Sequence, residues 1–211
     1  MPMGKYQKYS GKGPSKTAVK ALNKVKRLER QVELKQASEA LTATISTGGS
    51  VKELCDTILQ GDGEGKRTGN RIELTGLRVR ALIKQSASAT QSFVRCIIFS
   101  GVNGEMGQTS PYTVSGAING VLESARPEGM KNWTGRYNTK IHYDHTWALS
   151  STGNNCAYFD KHIKIPQKYR MCVYNGTGDV MKGGLYMLLL SNEATNLVTF
   201  DYDTRVYYKD L

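Results

Sequence analysis

A glycine-rich stretch with charged side chains, from Gly61 to Asn70, has the residue types of a phosphate-binding or calcium-binding loop. A P-loop needs four residues between its two fixed glycines, but only three separate Gly61 from Gly65, and Arg67 stands where Ser or Thr would bind magnesium. A strand-like sequence follows, so no helix N-terminus is present to hold a phosphate. An EF-hand loop is excluded because the other ligand positions are missing. We therefore expect an exposed surface loop.

The stretch His142-Tyr143-Asp144-His145 resembles a metal or acid–base cluster. On a strand, residues 142 and 145 point to opposite faces, so the two imidazoles cannot share one ion. A pair of His142 and Asp144 on one face stays open. The sequence contains no Gly-x-Ser-x-Gly elbow and no cysteine in a nucleophile context. We therefore predict that the protein is not an enzyme.

Two carboxylates, Asp201 and Asp203, are expected to share one face of the last strand. They could meet Arg or Lys across a subunit contact, or hold Ca²⁺ with oxygens borrowed from a neighbouring subunit. An ordinary solvated strand face is the alternative. The calcium site is the only metal site that the sequence suggests.

The four cysteines are widely spaced, with no CxxC pair and no histidine at zinc-finger spacing. We interpret Cys55, Cys96, Cys156 and Cys172 as reduced thiols, most of them packed in the core.

The net charge of +11 and the pI near 9.5 favour a polyanionic partner, with nucleic acid first and a membrane surface second. No run approaches the ~20 apolar residues that span a bilayer, and the N-terminus lacks the apolar core of a secretory signal. We expect a soluble protein made in the cytosol, with no membrane partner.

Most of the excess charge lies near the N-terminus. Residues 1–36 hold ten Lys and Arg against two Glu, a net of +8 out of +11. Residues 1–14 are rich in Gly, Lys, Tyr, Ser and Pro, and we expect this tail to be disordered on its own. Residues 15–37 are predicted to form a basic amphipathic helix that starts at the N-cap Ser15. Its apolar positions recur every three or four residues: Ala18, Ala21, Val25, Leu28 and Val32.

From residue 38 onward the composition changes to Thr, Ser, Gly, Val, Ile and aromatic residues. Short strand-like runs between turn signals, with one helical insertion at Ala117 to Ala125, predict an all-β domain over 38–211. The fold class is an eight-stranded antiparallel jelly roll, a β-sandwich, with a basic N-terminal α-helical arm. The predicted strands are Leu41 to Ser46, Ile72 to Lys84, Phe93 to Ser100, Lys140 to Leu149, Ala157 to Ile165, Arg170 to Tyr174, Leu185 to Leu190 and Val198 to Tyr208.

The strand from Ile72 to Lys84 has one apolar face and one basic face, and its alternation slips by one residue at Gly76. A slip at a glycine indicates a β-bulge. The basic face adds Arg78 and Arg80 to the arm as expected contacts to nucleic acid. The full set of predicted nucleic-acid contacts is Lys5, Lys8, Lys12, Lys16, Lys20, Lys24, Lys26, Arg27, Arg30, Lys35, Arg78 and Arg80.

Three segments resemble single-jelly-roll capsid proteins of the satellite tobacco necrosis virus group and of geminivirus-like circular single-stranded DNA viruses. They are the loop Gln60 to Gly69 with Arg71-Ile72 and the basic strand; Val173 to Gly176; and Leu185 to Asn192 with Arg205 to Asp210. In this resemblance the strand after the glycine loop is the first core strand. The similarity is spread over most of residues 55–211. The arm is shorter than in geminivirus capsids and lacks their zinc-finger-like cysteines.

The resemblance implies a viral coat protein whose sixty copies form a small T=1 icosahedral shell around a single-stranded RNA or DNA genome. Arms would turn inward onto the genome, with helices associating near threefold axes. Calcium between subunits is implied for shells of the satellite type. The location would be the virion, formed in the host cytoplasm or, with a DNA genome, in the nucleus, for which Lys24 to Arg27 is a weak signal. The alternatives are a nucleic-acid-binding β-sandwich that does not assemble and a lectin-like jelly roll.

Overall fold

The computed structural model describes residues 15, 17, 19–21, 24, 34–101, 114–133, 139–176 and 179–211. The chain divides into two units, Met1–Glu33 and Leu34–Leu211. In the first unit, the described residues from 17 to 24 are helical and exposed, and the amide of Val19 donates to the carbonyl of Ser15 at 3.0 Å. Residues 34–37 of the predicted helix belong to the second unit, and the rest of that helix and the whole predicted tail lie outside the described residues. The helix of the arm therefore stays a prediction.

The second unit contains ten strands and one α-helix in its described residues. These elements are β1 Leu34–Ile45, β2 Ser50–Glu53, β3 Arg71–Lys84, β4 Gln91–Gly101, α1 Val114–Val121, β5 Thr139–Ser150, β6 Cys156–Lys164, β7 Met171–Asn175, β8 Asp179–Lys182, β9 Leu185–Ser191 and β10 Val198–Asp210. No helix among the described residues is long and apolar enough to cross a membrane.

The strands form two antiparallel sheets. One has the order β1-β10-β3-β7-β8, with β6 also on β3, and the other has the order β2-β9-β4-β5. Strands β6 and β7 pair with successive parts of β3, so together they fill one strand position beside it. With β8 as an added edge strand, the sheets reduce to two sets of four strand positions. This is the predicted eight-stranded jelly roll, and the predicted fold class is confirmed.

The core lies between the two sheets. Alternate residues of β3 and β10 face it, including Leu77, Val79, Phe200 and Val206, all at most 1% exposed. The predicted phase slip is also present, because Gly76 pairs with Tyr207 while Leu74 pairs with Tyr208, leaving Thr75 as the extra residue of a bulge.

Strands β4 and β9 are central in their sheet, as their apolar sequences predicted, and all seven residues of β9 are buried. Their outward side chains form a second apolar cluster, which the helix α1 covers with Ala117, Ile118 and Val121. These strands are apolar on both faces because one face packs against the opposite sheet and the other packs against α1.

Seven predicted strands agree with the structure to within two residues at each end, and the first does not. Strand β1 begins at Leu34, so the prediction of helix up to Ala37 was wrong. Ala37 is a buried cross-strand neighbour of Val206, and pairing with β10 along twelve positions outweighs local helix propensity. Strand β3 is the third core strand of the chain and not the first. Helix α1 ends at Val121, four residues before the predicted end.

The four cysteines are free thiols, as the sequence indicated. Cys55, Cys96 and Cys172 are buried and Cys156 is exposed. Burial raises the pKa of the Cys96 thiol, so this side chain behaves as a small apolar group.

Candidate nucleic-acid interface

The outward face of the sheet that contains β3 is the candidate interface of the folded domain. The register of β1, β10, β3 and β6 places its outward residues in straight rows across four strands. Starting at the end nearest Leu34, the rows are Gln36, Tyr207, Gly76, Lys164; then Ser38, Arg205, Arg78, His162; then Ala40, Asp203, Arg80, Asp160; then Thr42, Asp201, Leu82, Tyr158; and last Thr44, Thr199, Lys84, Cys156.

The charges in these rows are unevenly distributed. Within these rows the carboxylates are Asp160, Asp201 and Asp203, and all lie in the third and fourth rows. Glu73 lies beyond the first row, where it is the cross-strand neighbour of Lys209 and binds Arg170. We call the first two rows the basic end; they hold Arg205, Arg78, His162, Lys164 and Tyr207 and no carboxylate. Residue Leu34, where the second unit begins, lies at the same end of the sheet as these rows.

The predicted contact residues Arg78 and Arg80 share one carboxylate. Arg78 donates from Nε to Asp160 Oδ1 at 3.0 Å and from Nη2 to Oδ2 at 2.7 Å, and Arg80 Nε donates to Oδ2 at 2.8 Å. The two guanidinium groups, Arg78 first, lower the pKa of Asp160 to about 2. The three side chains keep a net charge of +1 at neutral pH, so part of the predicted basic face is neutralised within the chain.

The predicted contact residue Lys35 is largely used inside the domain. Its side chain is only 13% exposed, and Nζ donates to the carbonyl of Lys66 at 2.9 Å and to Asp210 Oδ2 at 3.1 Å. The same carboxylate oxygen accepts from the amide and hydroxyl of Thr68. Lys35 thus fastens the glycine loop to the start of β1 and the end of β10. Its contact to nucleic acid stays a prediction, but the structure gives it a second role that the sequence did not suggest.

Of the other predicted contacts, the structure describes Lys20 and Lys24, both exposed. The remaining ones lie outside the described residues: Lys5, Lys8, Lys12, Lys16, Lys26, Arg27 and Arg30.

Arg67 in the glycine loop is fully buried, although the whole loop was predicted to be exposed. Its Nη1 donates to the carbonyl of Gly69 at 2.6 Å and to Asn70 Oδ1 at 3.2 Å, and Nη2 donates to the carbonyl of Gly176 at 2.6 Å. The guanidinium lies 4.0 Å from the ring centroid of Tyr174. No signal in the sequence separates this arginine from a surface cation, because its acceptors are mostly backbone carbonyls.

The loop also needs a glycine at position 65. Gly65 has φ +70°, and a Cβ there would lie 2.8 Å from the carbonyl oxygen of Gln36 in β1. A side chain would be strained in this conformation and would collide with the strand. The loop therefore lies directly against the first strand of the domain.

Asp201 and Asp203 share the outward face of β10, as predicted, but Asp201 is already occupied. It accepts from Lys84 Nζ and from Thr42 Oγ1, both at 2.8 Å, and Lys84 lowers its pKa. Asp203 is the cross-strand neighbour of Arg80 in the register of β10 with β3. No group of three or more His, Cys, Asp or Glu suited to a metal lies within the described residues. A cation that binds Asp201 Oδ2 would therefore have to displace Lys84.

The open possibility of a pair between His142 and Asp144 was wrong. Asp144 binds Arg95 through both oxygens, at 2.7 and 2.8 Å, and Lys131 Nζ lies 3.2 Å away. Nε2 of His142 lies 2.9 Å from Ser100 Oγ instead. Burial, and then the charge of Lys140, lower the pKa of His142 to about 4, so the ring is neutral at neutral pH.

The contact of Arg95 with Asp144 also fixes the segment after α1, because Nη1 of Arg95 donates to the carbonyls of Pro127 and Gly129. Burial raises the pKa of Asp144, but the hydrogen bonds and charges of Arg95, then Lys131, leave that pKa below its ordinary value. A carboxylate with a depressed pKa contributes stability that is present above its unfolded pKa, about 3.9, and is lost as the pH falls through the folded pKa.

We predict that Asp144→Asn lowers the free energy of unfolding by about 2–3 kcal/mol at pH 7, because Arg95 would keep its buried charge without a counter-ion. The difference from the unsubstituted protein should begin to shrink as the pH falls below about 3.9, where Asp144 of the unfolded chain becomes protonated, and it should be lost once the pH passes the lower pKa of the folded state. Urea unfolding at several pH values measures both effects. Glu128→Gln, an exposed site in the same segment, is the matched control. A difference that is constant down to pH 2.5 would contradict the assignment.

Comparison with known proteins gives the family. Residues 5–211 match the satellite tobacco necrosis virus coat protein family. The chain belongs to this family. The match includes the basic arm and the whole β-domain, and it confirms the resemblance to the satellite virus group. This member of the family is a viral coat protein, a structural component of a virion.

Solved structures give more distant similarities. A chain of desmodium yellow mottle tymovirus has 10% identity, with 85% of this chain and 90% of that chain covered and a TM-score of 0.37. A chain of infectious bursal disease virus, Gt strain, has 9% identity, with 85% of this chain and 42% of that chain covered and a TM-score of 0.18. Similarities this remote indicate no function. No curated protein sequence matches the chain.

Proposed function

We propose that this coat protein assembles into a closed icosahedral shell of sixty copies that packages a single-stranded nucleic acid through its basic arm. The observation that carries the proposal is the division of charge between the two units. Residues 1–33 hold nine of the 29 Lys and Arg but only two of the 18 Asp and Glu, a net of +7, whereas residues 34–211 have a net of +4. The arm is thus the main polycation.

The ion pairs of the domain support the same division. On the candidate interface, Arg78, Arg80 and Lys84 lie within 3 Å of a carboxylate oxygen of their own chain. The described arm residues Lys20 and Lys24 are exposed helical positions. A cation that is already paired with a carboxylate releases fewer counterions when it binds phosphate, and the arm has nine Lys and Arg for only two Glu. The arm should therefore contribute more of the binding free energy than the sheet does.

The charges are sufficient for a small genome. Sixty arms with a net charge of +7 bring about 420 positive charges to the inside of a shell, enough to neutralise a sizeable part of a genome on the order of a thousand nucleotides. Gathering the arms without nucleic acid would be unfavourable because like charges repel. Assembly and packaging should therefore be coupled, with the arm helices associating once the genome screens them.

Calcium between subunits is a secondary part of the proposal. The carboxylate of Asp203 is the better candidate ligand, because Asp201 is held by Lys84. A neighbouring copy would have to supply most of the oxygens. The compartment of assembly, cytoplasm or nucleus, depends on whether the genome is RNA or DNA.

Sizing of the purified full chain by light scattering at low and high salt tests the proposal. We expect particles of megadalton mass that contain nucleic acid, and digestion of released nucleic acid by DNase or RNase identifies the genome type. A chain that stays monomeric at every salt concentration yet binds single strands would instead support the β-sandwich that does not assemble. A monomer that ignores single strands would refute both.

A further inference from the structure

The basic end of the candidate interface combines cations with aromatic rings. Arg205, His162 and Lys164 are exposed, and Arg78 and Tyr207 are partly exposed. A hollow of about 390 Å³ lies beside Arg205 and Arg78, and it extends toward the next row, where Arg80, Asp203 and Glu39 also line it. The described residues in the two rows of the basic end include no carboxylate, although the next row has two.

Two of these cations face each other across the sheet. Arg205 is the direct cross-strand neighbour of Arg78, and like charges in this position destabilise a sheet. Arg78 is compensated by Asp160, whereas Arg205 donates from Nε to the neutral hydroxyl of Ser38, at 3.1 Å. One row further, Asp203 faces Arg80, so the same two strands place opposite charges next to each other there. An anion that binds from outside would compensate the pair of Arg205 and Arg78.

The aromatic rings next to these cations form a corner over a glycine. The rings of His162 and Tyr207 meet edge to face, with centroids 5.7 Å apart and an interplanar angle of 88°. A Cβ at Gly76 would lie 3.3 Å from His162 Nε2 and 3.8 Å from Tyr207 Cδ2, so both rings lean over the space that the glycine leaves free. His162 lies in the same row as Arg78 and Arg205, and Tyr207 lies in the row beside it.

We propose that the basic end binds a nucleotide of single-stranded nucleic acid, with the base against Tyr207 and His162 and its phosphate between Arg205 and Arg78. Aromatic side chains beside a positive groove are the usual means of holding a single strand without reading its sequence. A double helix would keep its bases stacked inside and could not use the corner. An acidic segment of a neighbouring copy would satisfy the arginines but would leave the rings without a role. This inference rests on the proposed function and adds a second binding element, on the sheet, to the arm.

The test uses full-length chains dissociated from particles and a fluorescent single-stranded oligonucleotide of mixed sequence, titrated at several salt concentrations. Tyr207→Leu should weaken binding about 5- to 150-fold with an unchanged salt slope, because a stacked base is lost and no phosphate contact. Arg205→Gln should reduce the slope of log K against log salt by about 0.7. Two variants are the matched controls. Tyr158→Leu changes an exposed tyrosine on the same face, beside Leu82, and Lys161→Gln changes a neighbouring position of β6 that points away from this face.

The outcomes separate the inference from the proposed function. Weaker binding by both test variants, with both controls like the unsubstituted chain, supports the inference. If the unsubstituted chain binds the oligonucleotide and the test variants bind equally well, the basic end is not a nucleic-acid site, although the arm still is. If the test variants bind normally but fail to reassemble, the face contacts another protein copy, which also overturns the inference. If the unsubstituted chain does not bind at all, the proposed function fails first. Melting temperatures equal to the parent chain exclude unfolding as a cause.

Discussion

A chain that begins at Leu34 is expected to fold normally and to lose its nucleic acid. The second unit contains both sheets and both apolar clusters, so removal of residues 1–33 deletes none of the core. It does delete nine Lys and Arg, which leaves a net charge of +4 in place of +11. If each lost cation contacts one phosphate, the salt slope for single strands falls by about 6. Particles or smaller assemblies of this variant should therefore contain almost no nucleic acid.

The ratio of absorbance at 260 and 280 nm of purified particles, with a melting curve, measures the effect. A matched variant keeps residues 1–33 but replaces their nine Lys and Arg by Gln, which separates the loss of charge from the loss of length. Both variants should be empty. Arm-deleted particles with a normal content of nucleic acid would refute the role of the arm, whereas empty deletion particles and filled Gln particles would assign packaging to the helix itself and not to its charge.

The position of the cut is important because β1 starts earlier than the sequence indicated. A deletion through Gln36 would remove the ammonium of Lys35, which binds the carbonyl of Lys66 and the carboxylate of Asp210. It would also shorten the pairing of β1 with β10. We expect this longer deletion to melt at a lower temperature than the deletion that ends at Glu33. Two deletions that differ by three residues thus distinguish loss of the arm from damage to the first strand of the domain.

The sequence was sufficient for the fold because its strongest signals are local. Alternation along β3 placed Arg78 and Arg80 on the outward face, and the slip at Gly76 located the bulge. Apolar residues on both faces of β4 and β9 placed these strands in the centre of a sheet. Each of these patterns depends on which side of a strand is buried, and a period of two records that directly in the sequence.

The site was less predictable because its decisive contacts join distant parts of the chain. The carboxylate that neutralises Arg78 and Arg80 belongs to Asp160, about eighty positions away, and only the register of β3 with β6 brings them together. Arg205 faces Arg78 for the same kind of reason. A count of charges cannot separate a compensated arginine from an uncompensated one. The sequence therefore identified the basic strand and missed which end of its face stays basic.

A substitution at Arg67 is expected to have the largest effect on stability of any in the described glycine loop. Arg67→Ala would remove a fully buried side chain and leave the carbonyls of Gly69 and Gly176 without their donor. A hydrogen bond from a charged donor contributes about 1.5–3 kcal/mol, and the cavity left by the side chain adds to the loss. The contact with the ring of Tyr174 is lost as well. Together we expect a decrease of about 3–5 kcal/mol in the free energy of unfolding.

Two further variants show which property of the side chain is responsible. Arg67→Lys keeps the charge but replaces a planar fork by a single ammonium, which cannot reach the carbonyls of Gly69 and Gly176 at once. It should therefore remain clearly less stable than the parent chain. Lys66→Ala, at the neighbouring exposed position, is the matched control and should change stability by less than about 0.5 kcal/mol.

Urea unfolding of dissociated chains measures the three variants, and limited proteolysis reports on the loop itself. The backbone of Lys66 accepts from Lys35, and Thr68 binds Asp210, so a loop released from Arg67 would also loosen the start of β1. Cleavage within 61–69 should become faster in Arg67→Ala before the domain unfolds. If Arg67→Ala unfolds at the same urea concentration as Lys66→Ala, the buried guanidinium does not hold the loop in place. The start of β1 would then be fixed by its pairing with β10 alone.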